Sequence, residues 1–188
     1  MTTNLTPEQQ VLEQFFDDFH NEQYPGEDAD GVFELFVAGE ILKHKNLSAE
    51  ELASGVVDGP QDGGIDAMYL FLDGMLVQED HPALAPSDSA RRGPANPVIE
   101  MVILQSKNTY SWSETAWERL LSNLDRLLDN NVSLSQLEAS FSEGIVEQIS
   151  RYRALNQNLV RRLPRPSFAV HYVTRATVAN ITPSIVAK

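Results

Sequence analysis

The chain has no cysteine. Disulfides, thiolate metal sites and cysteine nucleophiles are thereby excluded together. Long apolar runs are missing too. No stretch approaches the roughly 18 residues that a membrane-spanning helix requires. The N-terminal "MTTNLTPEQQVLEQFFDDFH" has no basic segment followed by an apolar one, so it does not read as a secretory signal. A cytoplasmic location is the expectation. Basic residues are nearly absent from residues 1–80, where 18 Asp and Glu face only Lys43 and Lys45. Internal repeats and low-complexity segments are also lacking.

What is present is an ordinary globular composition over 188 residues, enough for one domain with a substantial core. The net charge of −13 argues at first against a nucleic-acid partner, because phosphates are bound mainly by Lys and Arg. Its distribution weakens that objection. Residues 81–188 hold 12 Lys and Arg against 9 acids, so the acidity belongs to the first half. Arg151, Arg153, Arg161, Arg162 and Arg165 give the second half a basic face. This is a candidate backbone-binding surface, or else a solvated helix surface.

Apolar periodicity predicts a helix over 7–20, with Pro7 in its first turn, and a second over 31–45. "SAEE" at 48–51 is a capping-box pattern and opens a short helix. Two apolar runs flank Asp73-Gly74, a dipeptide suited to a tight hairpin turn. Residues 79–97 read as an excursion between strands. Residues 98–105 form a strand nearly all apolar, as one buried on both faces would be. Helices follow over 113–130, 133–141 and 143–162, then a strand over 168–173. "NITPSIVAK" reads as a helix just beginning, with Thr182 as cap and Pro183 first, which suggests the N-terminal piece of a longer protein.

Two stretches carry the chemistry: "DGPQDGGIDAMYLF" (58–71) and "VIEMVILQSKN" (98–108). Strand alternation points Gln105 and Lys107 the same way, at the end of an apolar strand. Asp66 opens the neighbouring strand, behind Gly63-Gly64. A carboxylate, an amide oxygen and an ammonium at adjacent strand ends suit metal-assisted phosphodiester hydrolysis: hard oxygens hold Mg²⁺ (or Mn²⁺), and a lysine steadies charge at phosphorus. A second carboxylate is needed, and Glu34 and Glu40 of the preceding helix both qualify; Asp62 is a further candidate, although an Asp there also serves turn chemistry.

These segments resemble the PD-(D/E)xK nuclease superfamily. "VFELFVAGEIL", "QDGGIDAMYLF" and "VIEMVILQSK" are specifically similar to its Mrr-type branch, with the pattern FE, DGGID, Q-x-K. The wording "DGGIDAMYLFLDG", then "ILQSKN", a helical region and "HYVT" is most similar to the N-terminal nuclease domain of AIPR (abortive infection phage resistance) proteins. The motif-bearing part spans about residues 31–108. The resemblance implies an α/β restriction-endonuclease-like core, a central mixed sheet flanked by helices, with a helical extension after the Q-x-K strand, in a single domain over 1–188. It implies Asp66 as metal-binding aspartate, Gln105 at the second acid position, Lys107 as catalytic lysine, and Glu34 or Glu40 as helix acid. The implied activity is a metal-dependent endonuclease in phage defence, on DNA rather than RNA. Cleaving both strands of a duplex needs two such sites, hence an expected homodimer, and the charge distribution assigns the nucleic-acid contacts to the basic second half, through Arg151, Arg153, Arg161 and Arg162.

The competing readings are a catalytically silent nucleic-acid-binding or interaction module on the same fold, a helical scaffold for a basic partner, and calcium binding by Asp58, Asp62 and Asp66. The last lacks the alternating ligands and terminal Glu of an EF-hand. His20, His44, His81 and His171 have no metal-ligand spacing. Trp112 and Trp117 are either core or base-stacking residues. The "NTYSWSE" loop either contacts substrate or simply caps the next helix through Ser113.

Overall fold

The structure, a computed structural model, describes residues 5–57, 61–86, 93–177 and 181. Asp58, Arg91, Arg92 and the "NITPSIVAK" helix expected from Thr182 lie outside them, apart from Ile181.

Helix α1 runs Pro7–Gln23, with Thr6 and Gln9 forming a capping box and Pro7 at its start. Helix α2 runs Ala29–Leu42, capped by Asp28, and ends in a 3-10 turn over Lys43–Lys45. Ser48 and Glu51 form the capping box of α3, Ala49–Ala53. Strands β1, Ala67–Leu72, and β2, Met75–Leu76, form the expected hairpin; Asp73 and Gly74 both have positive φ, 51° and 86°, as a type I′ turn requires. Strand β3, Val98–Lys107, is buried on both faces from Met101 to Ser106. Helices α4, Glu114–Leu128, α5, Leu134–Glu138, and α6, Glu143–Leu159, lead into β4, Arg165–Thr174.

The four-stranded mixed sheet has the order β2-β1-β3-β4. Strand β1 is antiparallel to β2 and β3, and β3 is parallel to β4 through the helical crossover. The register pairs Met68 with Ile103 and Leu70 with Met101, so these side chains share one face. That face packs on Leu120, Leu124 and Leu127 of α4 and on Ile145 and Ile149 of α6. The opposite face, with Ala67, Tyr69, Phe71, Val102 and Leu104, packs on Ala38 and Leu42 of α2. Helix α1 then covers α2 through Phe16 and Phe33. The chain is thus α/β, a mixed sheet between helical layers. Among the described residues no helix is long and apolar enough to cross a membrane.

Candidate active site

The glycine-rich turn is built to deliver Asp66. Gln61, Gly63 and Gly64 have φ of 75°, 66° and 83°, and such left-handed backbone explains the glycines. Asp62 Oδ1 accepts the Gly64 N–H at 2.7 Å, and Asn123 of α4 donates to the Gly63 carbonyl at 2.6 Å. Gly64 has a second role: a Cβ there would stand 3.1 Å from Gln105 Nε2, so only glycine leaves the amide undisturbed. Beyond the turn, the Asp66 N–H donates to the Leu104 carbonyl, which locks the strand start against β3.

The Asp66 side chain is almost wholly buried. Its Oδ2 accepts the Ser106 backbone N–H at 2.6 Å and the Ser106 hydroxyl at 3.2 Å. A backbone N–H of a strand lies in the sheet plane, so the carboxylate sits in the strip between the two strand ends. Burial pushes its pKa above the ordinary carboxylate value; the Ser106 bonds and the Lys107 charge pull the other way, and the Asp62 charge adds to the rise. The charges of Lys107 and Asp66 are therefore close enough to act on each other. Sequence separates the two by 41 positions, and the β1–β3 register brings them together.

Gln105 is 2% exposed, and its Oε1 has no hydrogen-bond partner. A buried amide oxygen left unpaired costs about 1–3 kcal/mol, so it marks a position where a ligand would be favourable. Lys107 is exposed at the strand terminus. Alternation gives Gln105 and Lys107 the α4/α6 face, since Ile99, Met101 and Ile103 lie there.

The helix acids separate clearly. Glu34 lies one turn beyond Asp30, which accepts from Asn108 Nδ2 at 2.8 Å, and one turn before Ala38, which packs on the sheet. Glu34 therefore lies on the same stripe of α2 as these two residues. Glu40 is on another flank: it pairs with Lys43 at 3.2 Å, is 59% exposed, and lines an apolar groove of about 500 Å³ with Phe15, Phe36 and Ile41. Of the two, Glu34 is half-buried and shares its stripe with Asp30 and Ala38, whereas Glu40 is exposed. Helix α2 packs on the sheet face opposite the one that carries Gln105. Asp62, half-buried, serves the turn and lies 3.5 Å from Arg119 Nη2.

The arginine cluster is not brought to this place. Arg165 pairs with Val98 and Thr174 with Lys107, nine residues apart; at about 3.3 Å per residue the 161–165 end lies roughly 30 Å from Lys107. Arg153 donates to the carbonyls of Val132, Leu127 and Asp129, Arg151 pairs with Glu147, and Arg162 donates to the Pro94 carbonyl. Trp117 stacks on Tyr172 at 6.0 Å and Trp112 meets the same ring edge-on at 5.3 Å. Tyr172 is the register partner of Gln105, so this aromatic wall flanks the site. Ser113 caps α4 through the Ala116 N–H. Ser106, Asn123 and Arg119 are residues of this region that sequence reading missed, while Asn108 opens the "NTYSWSE" loop it had singled out. Of the three, only Ser106 left a signal, as the middle residue of Gln-x-Lys, and alternation alone points it away from the pair.

Among the described residues no three His, Asp or Glu side chains stand close enough to hold a metal ion. A cation here would rest on the Asp66 carboxylate and the unpaired Gln105 oxygen, with the half-buried Glu34 as the candidate helix acid. That donor set is all hard oxygen and suits Mg²⁺, which binds through one or two carboxylates and retains several waters. Comparisons with family models, with curated proteins and with solved structures returned no match for the chain.

Proposed function

We propose that the chain is a divalent-cation-dependent phosphodiesterase that cleaves nucleic acid, with DNA the preferred substrate, on a restriction-endonuclease-like core. The observation that carries this reading is the convergence of a desolvated Asp66, an unpartnered Gln105 Oε1 and Lys107 at adjacent strand ends. The element order supports the finer fold assignment: a helix, a hairpin opened by Asp66, the Gln-x-Lys strand, a helical crossover and a parallel strand. A role in phage defence rests on the AIPR resemblance of the motifs alone.

When bound, a Mg²⁺ or Mn²⁺ ion neutralises phosphate charge and acidifies water at the site. The chain's own groups do the rest. Asp66, held by Ser106, presents a fixed carboxylate. Gln105 supplies an oxygen of no net charge, which leaves the site less negative than two acids would and more tolerant of a phosphodiester. Lys107 stabilises charge developing on the phosphoryl oxygens and positions the attacking water. Cleavage of both strands of a duplex calls for two such sites, hence a homodimer.

A silent module on the same fold is favoured by one observation, the absence of a three-acid cluster among the described residues. Plasmid incubated with purified protein and Mg²⁺ or Mn²⁺ separates the two. Chelator-sensitive nicking or linearisation that falls about 10²–10³-fold in Lys107→Ala supports hydrolysis; equal cutting by the variant refutes it.

A further inference from the structure

Helix α4 lays two side chains, four residues apart and so on one helical face, against the turn that precedes β1. They do different work. Asn123 makes a short, half-buried bond to the Gly63 carbonyl and anchors the turn. Arg119 does not anchor it: its guanidinium is 3.5 Å from Asp62 Oδ1, outside good hydrogen-bond length, and its side chain is 62% exposed. Asp62 Oδ1 is already engaged by the Gly64 N–H at 2.7 Å. An exposed pair of this kind is screened by solvent and contributes little to stability. A guanidinium carries five N–H donors in a planar fork, the geometry that grips phosphate oxygens in pairs. Asp62 raises the Asp66 pKa, so a short run of charges leads from Arg119 at the surface to the buried carboxylate.

We infer that Arg119 is the phosphate-backbone contact of this site: it leaves Asp62 and takes the oxygens of a nucleic-acid phosphate next to the bond being cut. The inference rests on the reading of the site as a nucleic-acid hydrolase. It also supplies what that reading lacked, because Arg161, Arg162 and Arg165 lie at the far end of the sheet and Arg153 is committed to backbone carbonyls. In this arrangement Asp62 is a competitor for the guanidinium. It holds Arg119 in the absence of substrate, and its negative charge opposes a phosphate brought to the same place.

The test is binding, without cleavage, of a fluorescein-labelled DNA duplex of about 20 base pairs in Ca²⁺, with salt varied between about 50 and 200 mM. Loss of one phosphate contact lowers the log–log salt slope by about 0.9, so the wild-type advantage over Arg119→Gln should shrink roughly 3.5-fold across that range. Arg119→Lys should keep the wild-type slope. Asp62→Asn, which retains the acceptor for Gly64 N–H, should bind several-fold more tightly. A merely structural clamp predicts that Arg119→Gln and Asp62→Asn weaken binding alike and leave the slope unchanged, and that result overturns the inference. So does a wild type that fails to bind the duplex at the lowest salt. If Arg119→Gln keeps the wild-type slope while the wild type cuts plasmid, the inference fails and the hydrolase reading stands. If nothing is cut yet Arg119→Gln loses slope, the hydrolase reading fails and the contact stands.

Discussion

Replacing Asp66 with Asn should make the metal-free protein no less stable at pH 7, and should abolish its response to divalent cations. The carboxylate is buried, and burial outweighs its bonds to Ser106 and the attraction of Lys107, since the net pKa displacement is upward. Asn keeps an oxygen for the Ser106 N–H and removes the charge. The sign with pH follows. A raised folded pKa means the native state binds the proton more tightly than the unfolded chain. The cost of the ionised form is therefore absent below the ordinary carboxylate value, grows as pH rises through it, and is complete above the folded pKa. Wild type should lose ground to Asp66→Asn over that interval, and the two should converge in acid. Divalent cation reverses the order at neutral pH. At about 100 times its Kd a bound ion adds roughly 2.7 kcal/mol; for a chain of this size each kcal/mol moves Tm by about 2–4 °C, so wild type should gain some 5–11 °C. Thermal melts of both proteins with Mg²⁺ or EDTA, at pH 4 and pH 7, read all of this. Equal Mg²⁺ shifts in both proteins, or a metal-free variant melting well below wild type at pH 7, would refute the reasoning.

Gly64→Ala places a Cβ at φ +83° and 3.1 Å from the Gln105 amide; the backbone strain alone costs about 1–2 kcal/mol, lowering Tm by roughly 2–8 °C. Plasmid cleavage should fall further than the lost stability explains, because Gln105 is displaced. Glu34→Gln should weaken the Mg²⁺-dependent rise in Tm, whereas Glu40→Gln, which breaks only an exposed pair with Lys43, should leave stability within about 0.5 kcal/mol of wild type and cleavage unaltered. Equal effects from these two variants would remove Glu34 from the site.

The local devices of this fold are legible in the residues themselves. A capping box at Ser48 and Glu51, a type I′ turn at Asp73-Gly74 and a strand apolar on both faces each depend on neighbours within a few positions. Gln105 and Lys107 share a direction for the same reason, the two-residue repeat of a strand. The nearness of Asp66 to that pair was readable as well, because a tight hairpin leaves β1 free to pair with the next apolar strand. Tertiary packing decided what no spacing encodes. The rotation of α2 about its axis is set by Ala38 and Leu42 against the sheet, and it leaves Glu34 half-buried and Glu40 exposed. The parallel register of β3 and β4 carries Arg161, Arg162 and Arg165 to the far end of the sheet. The seat of α4 brings Arg119 to a turn 57 positions earlier. Helix rotation and strand register are chosen by the burial of whole faces, a sum over many distant contacts, and a window of sequence contains only part of that sum.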